Sequence, residues 1–140
     1  MATTTVPLTN PLFLKDVSLI VGPSGGTTYE FKAALESVLF TPQTTTDTFS
    51  GIGGTTVSDV SIDSWTCTVG YIQDWETSTS LSNYLQSNPG LTTDAVFKPK
   101  TAGAKSVTAT ITLVPGPIGG PKGKAMASVT FGVQGTPTVA

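Results

Sequence analysis

The 140-residue chain contains no histidine, no arginine and a single cysteine, Cys67. Without histidine, the commonest general base and the commonest metal ligand are both missing. Without arginine, there is no bidentate fork for phosphate, carboxylate or guanine. One cysteine allows neither an intrachain disulfide nor a thiolate metal cluster. Charge of either sign is scarce: 11% of residues are charged, against roughly 25% in ordinary soluble domains. A net charge of −2 and a pI near 4.8 argue against the basic face of a nucleic-acid binder. No run approaches the ~20 apolar residues of a spanning helix. Met1-Ala2-Thr3-Thr4-Thr5 has neither the basic region nor the apolar core of a secretory signal. These absences argue against most enzyme classes and against membrane insertion. The chain is read as a non-enzyme without cofactor or metal, made in a reducing cytoplasm.

What is present is hydroxyl. The sequence holds 26 threonines and 13 serines, alongside 38% apolar residues. At this length the reading is one domain, residues 1–140. Short runs of threonine, valine and aromatics, punctuated by glycine and proline, predict a mainly β fold: a β-sandwich or barrel of two packed sheets with one short flanking helix over about 79–88. The first run, Phe13 to Val21, and the second, Tyr29 to Phe40, flank the turn chemistry of Gly22 to Gly26 and read as a long hairpin. The apolar phase slips within the second run, which predicts a bulge near Glu36-Ser37. From Thr41 to Asp59 the alternation is lost, and the segment reads as a long irregular loop, either a disordered surface loop or an arm that orders against another copy. Alternation resumes at Val60 and Ile62, then changes phase at Trp65, Cys67, Val69 and Tyr71, which predicts a second bulge near Asp63-Ser64. Cys67 falls on the apolar face of that strand, a small buried hydrophobe. Leu81, Tyr84 and Leu85 form one helical stripe, with Ser78 or Ser80 as cap and Asn88-Pro89-Gly90 as stop. Thr92 to Lys98 reads as a strand. Val107, Ala109, Ile111 and Leu113 then alternate with Ser106, Thr108, Thr110 and Thr112, and Ala125 to Val133 follow the same rule. Residues 1–12 and 135–140 read as an N-terminal arm and a short C-terminal tail.

The nine carboxylates offer nominal acid–base pairs, Asp59 with Asp63 and Asp74 with Glu76. Scattered among turns and solvent faces, they read as solvated groups. Gly51-Ile52-Gly53-Gly54 and Gly116 to Gly123 match no phosphate-binding fingerprint. Lys122 and Lys124 read as solvated lysines of a turn. Trp65, Tyr71 and Trp75 could make a sugar-stacking platform or simply fill the core.

The order of segments resembles a family. A threonine-rich start leads into Phe13-Leu14-Lys15-Asp16-Val17-Ser18-Leu19 and a hairpin ending at Phe40-Thr41-Pro42-Gln43. A glycine-rich stretch precedes Ser64-Trp65-Thr66-Cys67-Thr68-Val69-Gly70-Tyr71-Ile72-Gln73-Asp74-Trp75. Then follow Ser80-Leu81-Ser82-Asn83-Tyr84-Leu85, Val96-Phe97-Lys98-Pro99-Lys100, Gly119-Gly120 and Ala127 to Pro137. Over nearly the whole chain this resembles the major tail (tail tube) proteins of long non-contractile-tailed bacteriophages, particularly those of actinobacteria. The longer members carry an appended immunoglobulin-like domain, for which no counterpart is expected in these 140 residues.

The resemblance implies a structural virion protein: six copies to a ring, and rings stacked into a tail tube that conducts double-stranded DNA without binding it specifically. It further implies contacts with tape-measure, tail-tip and tail-terminator proteins. On that reading Thr44, Thr45, Thr46, Phe49, Ile52, Val6 and Leu8 are expected at interfaces between copies, and Ser106, Thr108, Thr110 and Thr112 along the channel. A wall of hydroxyls suits a conduit, because lysine and arginine contacts to phosphate would hold the duplex. The alternative from another class is a β-sandwich adhesion or carbohydrate-binding module using Trp65, Tyr71 and Trp75. A carboxylate-based hydrolase rests on acidic residues alone.

Overall fold

Strand and helix follow one another as β1 (Ser18–Val21), β2 (Tyr29–Glu30), β3 (Leu35–Ser50), β4 (Thr56–Ile72), α1 (Leu81–Ser87), β5 (Thr92–Lys98), β6 (Val107–Thr112) and β7 (Met126–Val139). The computed structural model describes residues 2–140, so Met1 of the N-terminal arm lies outside the described residues. The mainly β class with one short helix is as the sequence indicates. The strands form one antiparallel seven-stranded sheet, ordered β2-β1-β5-β6-β7-β4-β3, rather than two packed sheets or a closed barrel.

A single sheet still encloses a core because it curls. Its two edge strands, β2 and β3, are neighbours in the chain, joined by Phe31–Ala34. The Phe31 N–H donates to the Leu19 carbonyl of β1 (3.0 Å), and the Ile72 N–H at the end of β4 donates to the Ala34 carbonyl (2.9 Å). The linker therefore bridges both margins of the sheet. Three strands separate β3 from β5 in the ladder, yet the Phe40 and Phe97 rings lie 6.1 Å apart across the interior. The concave face carries the alternating apolar set: Leu19, Val69, Tyr71, Ile111, Leu113 and Phe131 are all within 2% of full burial. Each such side chain contributes about 1.5–3 kcal/mol by leaving water.

Helix α1 closes this face. Leu81 and Leu85 are buried, while Tyr84 is half-buried with its ring 5.4 Å from Tyr29 and 5.5 Å from Phe31. Ser80 is the cap: its Oγ accepts the Asn83 N–H at 3.3 Å. At the other end Gly90 takes a positive φ of 77°, which a side chain disfavours, and its N–H reaches the Leu113 carbonyl.

Both expected bulges are present, as register shifts between Leu35 and Ser37 and between Gln43 and Thr44; the latter leaves Asp63 as the extra residue on β4. Three expectations are corrected. The strand expected from Phe13 begins only at Ser18, and it pairs with β2 over two positions; the long hairpin is instead β3 with β4. The irregular loop expected over 41–59 is strand up to Ser50 and again from Thr56, with only Gly51–Thr55 as turn. Alternation is missing there because neither face is buried, not because the backbone is irregular; threonine, β-branched, supports extended structure without a core. The expected tail over 135–140 is also ladder: Thr138 and Val139 pair with Thr108 and Val107, and Ala140 exchanges backbone bonds with Ser106.

Candidate functional site

Three of the acidic side chains are hydrogen-bonded at separate places in the fold. Asp74 is a turn carboxylate. The Thr77 hydroxyl and the Thr77 and Glu76 N–H groups donate to it and hold its pKa below the ordinary value. Asp94 accepts from the Thr110 hydroxyl (3.1 Å) and the Ser24 N–H (3.3 Å). Asp63, on its bulge, accepts from Thr45 and Ser61, and Asp59 is exposed one ladder position from Ser58. No group of three or more His, Cys, Asp or Glu able to hold a metal is found among the described residues. Burial pushes the Cys67 thiol up to about 12, so it stays protonated and inert. The three candidate stacking aromatics are dispersed. Tyr71 is buried in the core, Trp65 packs at the core margin, and Trp75 donates its Nε1–H to Gln73. Among the described residues no helix is long and apolar enough to cross a membrane.

What the fold does assemble is an outward hydroxyl surface. In an antiparallel ladder, directly opposed residues share a face. Register therefore joins Thr92 to Thr112, Thr108 to Thr138, Thr66 to Gly132, Thr68 to Thr130 and Gly70 to Ser128 on the convex side. Thr92 and Thr112 hydroxyls lie 3.1 Å apart, as do Thr68 and Thr130, and Gln134 donates to Thr112 at 3.3 Å. Thr108 is exposed, and Ser106, Thr110 and Thr112 are half-exposed on the same side. The four residues expected along a channel thus belong to a wider hydroxylated wall spanning β5, β6, β7 and β4. Alternation in each strand was the signal for it; which strands lie side by side could not be read from periodicity.

The second feature is the outer half of the β3–β4 hairpin. Beyond Trp65, where β4 last pairs with β7 at Val133, Thr44–Ser50 and Thr56–Ile62 continue as an isolated two-stranded ribbon. Seven residues at about 3.3 Å each make it roughly 23 Å long. Every side chain in it is exposed. Phe49, Val57 and the tip residue Ile52 are 70%, 59% and 110% exposed, and Val60 and Ile62 crop out on the opposite face. Asp47 stands directly across from Asp59. Of the expected interface residues, the ribbon gathers Thr44, Thr45, Thr46, Phe49 and Ile52. Val6 and Leu8 lie apart, on the exposed N-terminal segment.

Sequence reasoning passed over a cleft of about 560 Å³ between the N-terminal segment and the β5–β6 connection. It is lined by Asn10, Leu12, Pro99, Lys100, Ala104 and Lys105. No family model matches this chain, and no curated protein matches it significantly.

Proposed function

We propose that this chain is a structural subunit that polymerises with its own copies as six-membered rings stacked into a phage tail tube, a conduit for double-stranded DNA. The observation that carries the reading is the free ribbon. An isolated two-stranded hairpin is marginal in water, and this one presents five large apolar side chains to solvent. Its two edges offer unpaired N–H and C=O groups along their length. An edge of that kind is a template for another chain, so the ribbon makes sense as part of an assembly in which its apolar groups are covered.

The hydroxylated wall supports the conduit half of the proposal. Across β4, β7 and β6 it carries no cation, so a passing duplex meets groups that exchange hydrogen bonds with water rather than phosphate clamps. Tape-measure, tail-tip and tail-terminator proteins would be the other partners, and the virion tail the site of action.

Negative-stain electron microscopy of the purified protein, with mass by light scattering, tests the reading. Six-fold rings or hollow tubes are expected. A 14.4 kDa monomer at every concentration, combined with glycan binding lost in Trp75→Ala, would instead establish the carbohydrate-binding alternative.

A further inference from the structure

Charge is segregated along this chain. Every one of the seven lysines lies outside Ala33–Phe97, whereas seven of the nine acids (Glu36, Asp47, Asp59, Asp63, Asp74, Glu76 and Asp94) lie within it. The middle segment thus has net charge −7 and the remainder, seven lysines less Asp16 and Glu30, +5; the sum is the −2 of the whole chain. The imbalance is not resolved within the molecule. Among the described residues the one ion pair is Lys32 with Asp16 at 3.9 Å. Asp47 and Asp59 on the ribbon face each other; Lys100, whose ammonium donates to the Pro11 carbonyl at 3.5 Å, and Lys105 line the cleft without a carboxylate within ion-pair distance.

The two unsatisfied regions match in pattern as well as in sign. On one face of the ribbon the apolar pair Phe49–Val57 lies next to the tip, and the pair Asp47–Asp59 stands two residues behind it, about 7 Å further back. The lining of the cleft includes the apolar Leu12, Pro99 and Ala104 together with the two lysines. Its volume of about 560 Å³ admits an aromatic or branched side chain. Both lie at the same end of the sheet. β7 runs from Val133 to Val139 toward Ser106 and the β5–β6 connection, and the ribbon leaves Trp65 in that same direction.

We infer that the ribbon tip of one copy docks laterally into the lysine-lined cleft of the next, with Phe49 and Ile52 against Leu12, Pro99 and Ala104 and with Asp47 and Asp59 paired to Lys100 and Lys105. The inference rests on the assembly reading above and specifies the contact within it. Because the two patches differ, the contact is head-to-tail, and repeating it side by side closes a ring when the rotation allows. Opposed aspartates, unfavourable in the isolated ribbon, become favourable on the neighbour's lysines, so the same pair disfavours misdocking and favours the correct register.

Charge reversal and covalent trapping test it together. Asp47→Lys with Asp59→Lys is expected to cut assembly at least tenfold, as is Lys100→Asp with Lys105→Asp. Mixing the two variants, or combining all four changes in one chain, is expected to recover most of it. All four positions are exposed, so circular dichroism should show unchanged folding. Separately, Ile52→Cys chains mixed with Ala104→Cys chains at high concentration under mild oxidation should give a disulfide heterodimer, which neither forms alone beyond background. Cys67, being buried, takes no part. Wild-type rings that form equally well from the reversed variants, with no heterodimer trapped, overturn the docking and leave the assembly reading intact. Absence of rings with the heterodimer still trapped upholds the contact and removes the ring. Absence of both overturns both.

Discussion

The curled body and the projecting ribbon are made of the same kinds of residue in the same β-conformation, yet they obey different rules. In β6, Ala109 and Ile111 are buried while Thr108 is exposed and Thr110 and Thr112 are half-exposed, so the sequence alternates. In the ribbon, Thr44 to Ser50 form equally regular ladder, but no side chain is buried and no alternation is imposed. Alternation therefore reports one-sided burial and not strand as such. A β-branched stretch without it is compatible with a strand whose partner surface belongs to another molecule. The lesson is that loss of pattern in a threonine-rich segment identifies where the chain lacks its own core.

The sharpest break between the regions is energetic. Phe131, 2% exposed at the centre of the curl, should cost about 3–5 kcal/mol on Phe131→Ala, by lost transfer energy and the cavity left behind. Phe49→Ala, a change of the same size on the ribbon, should alter monomer stability by no more than about 0.5 kcal/mol. Urea denaturation of the two variants measures both. Equal losses would mean that the ribbon is part of the cooperative unit.

Alkali separates the regions by a second route. The ordinary thiol value is 9, and burial raises Cys67 to about 12. Below pH 9 both folded and unfolded states keep the proton. Between pH 9 and 12 the unfolded state releases it while the folded state does not, so stability falls as pH rises, by up to about 1.4 kcal/mol per unit. Tyr71, also raised by burial, acts in the same direction above its ordinary value of 10. Thiol labelling of native protein at pH 8 should be negligible and should follow global unfolding, since Cys67 is 1% exposed. Rapid labelling would show that the curl opens locally.

A backbone contact should give a smaller effect. Gly116, in the proline- and glycine-rich connection before β7, passes so close to the core that a Cβ there would lie 2.1 Å from the Tyr71 hydroxyl. Gly116→Ala should therefore displace the connection or the ring and cost about 1–3 kcal/mol, with Tm as readout. Gly53 in the ribbon turn meets nothing within 4 Å at its Cβ position, so Gly53→Ala should leave Tm nearly unchanged.

Much of the body was legible in the sequence, and for identifiable reasons. Both bulges followed from phase slips, at Glu36-Ser37 and at Asp63, because a one-residue insertion exchanges the faces of a strand with one buried side. The helix followed from the Leu81, Tyr84, Leu85 stripe, and Ser80 was one of its two candidate caps. What was not legible depends on pairing between distant segments. Nothing local in Tyr29–Phe40 says that β3 pairs with β4 while β2 pairs with β1, since the division lies in Phe31–Ala34, whose backbone bonds reach to both margins of the curl. The body of the C-terminal strand was legible, but its continuation past Val133 was not, because Gly135 and Pro137 interrupt the alternation. Gly135 in fact supplies a positive φ of 74° where β7 shifts register on β6. Of the candidate surfaces, Thr108 to Thr112 and the ribbon residues were identifiable individually. The cleft beneath Leu12, by contrast, joins segments nearly ninety positions apart and has no one-dimensional signature.

The smallest predicted effect discriminates most finely, because it has opposite signs in two measurements. Asp47 and Asp59 oppose each other across the ladder, and like charges in that position are destabilising by a few tenths of a kcal/mol. Asp59→Asn removes the repulsion without changing shape. Amide exchange in Thr44–Ser50 of the monomer should then slow by about twofold, a gain of roughly 0.4 kcal/mol confined to the ribbon. If the pair serves only the monomer, assembly should follow that gain, since a better-formed arm costs less to order on docking. If the pair is held for the neighbour's Lys100 and Lys105, the same substitution should weaken assembly while it steadies the arm. Residues selected for a partner are recognised by that divergence, in which the isolated chain improves as the assembled one declines.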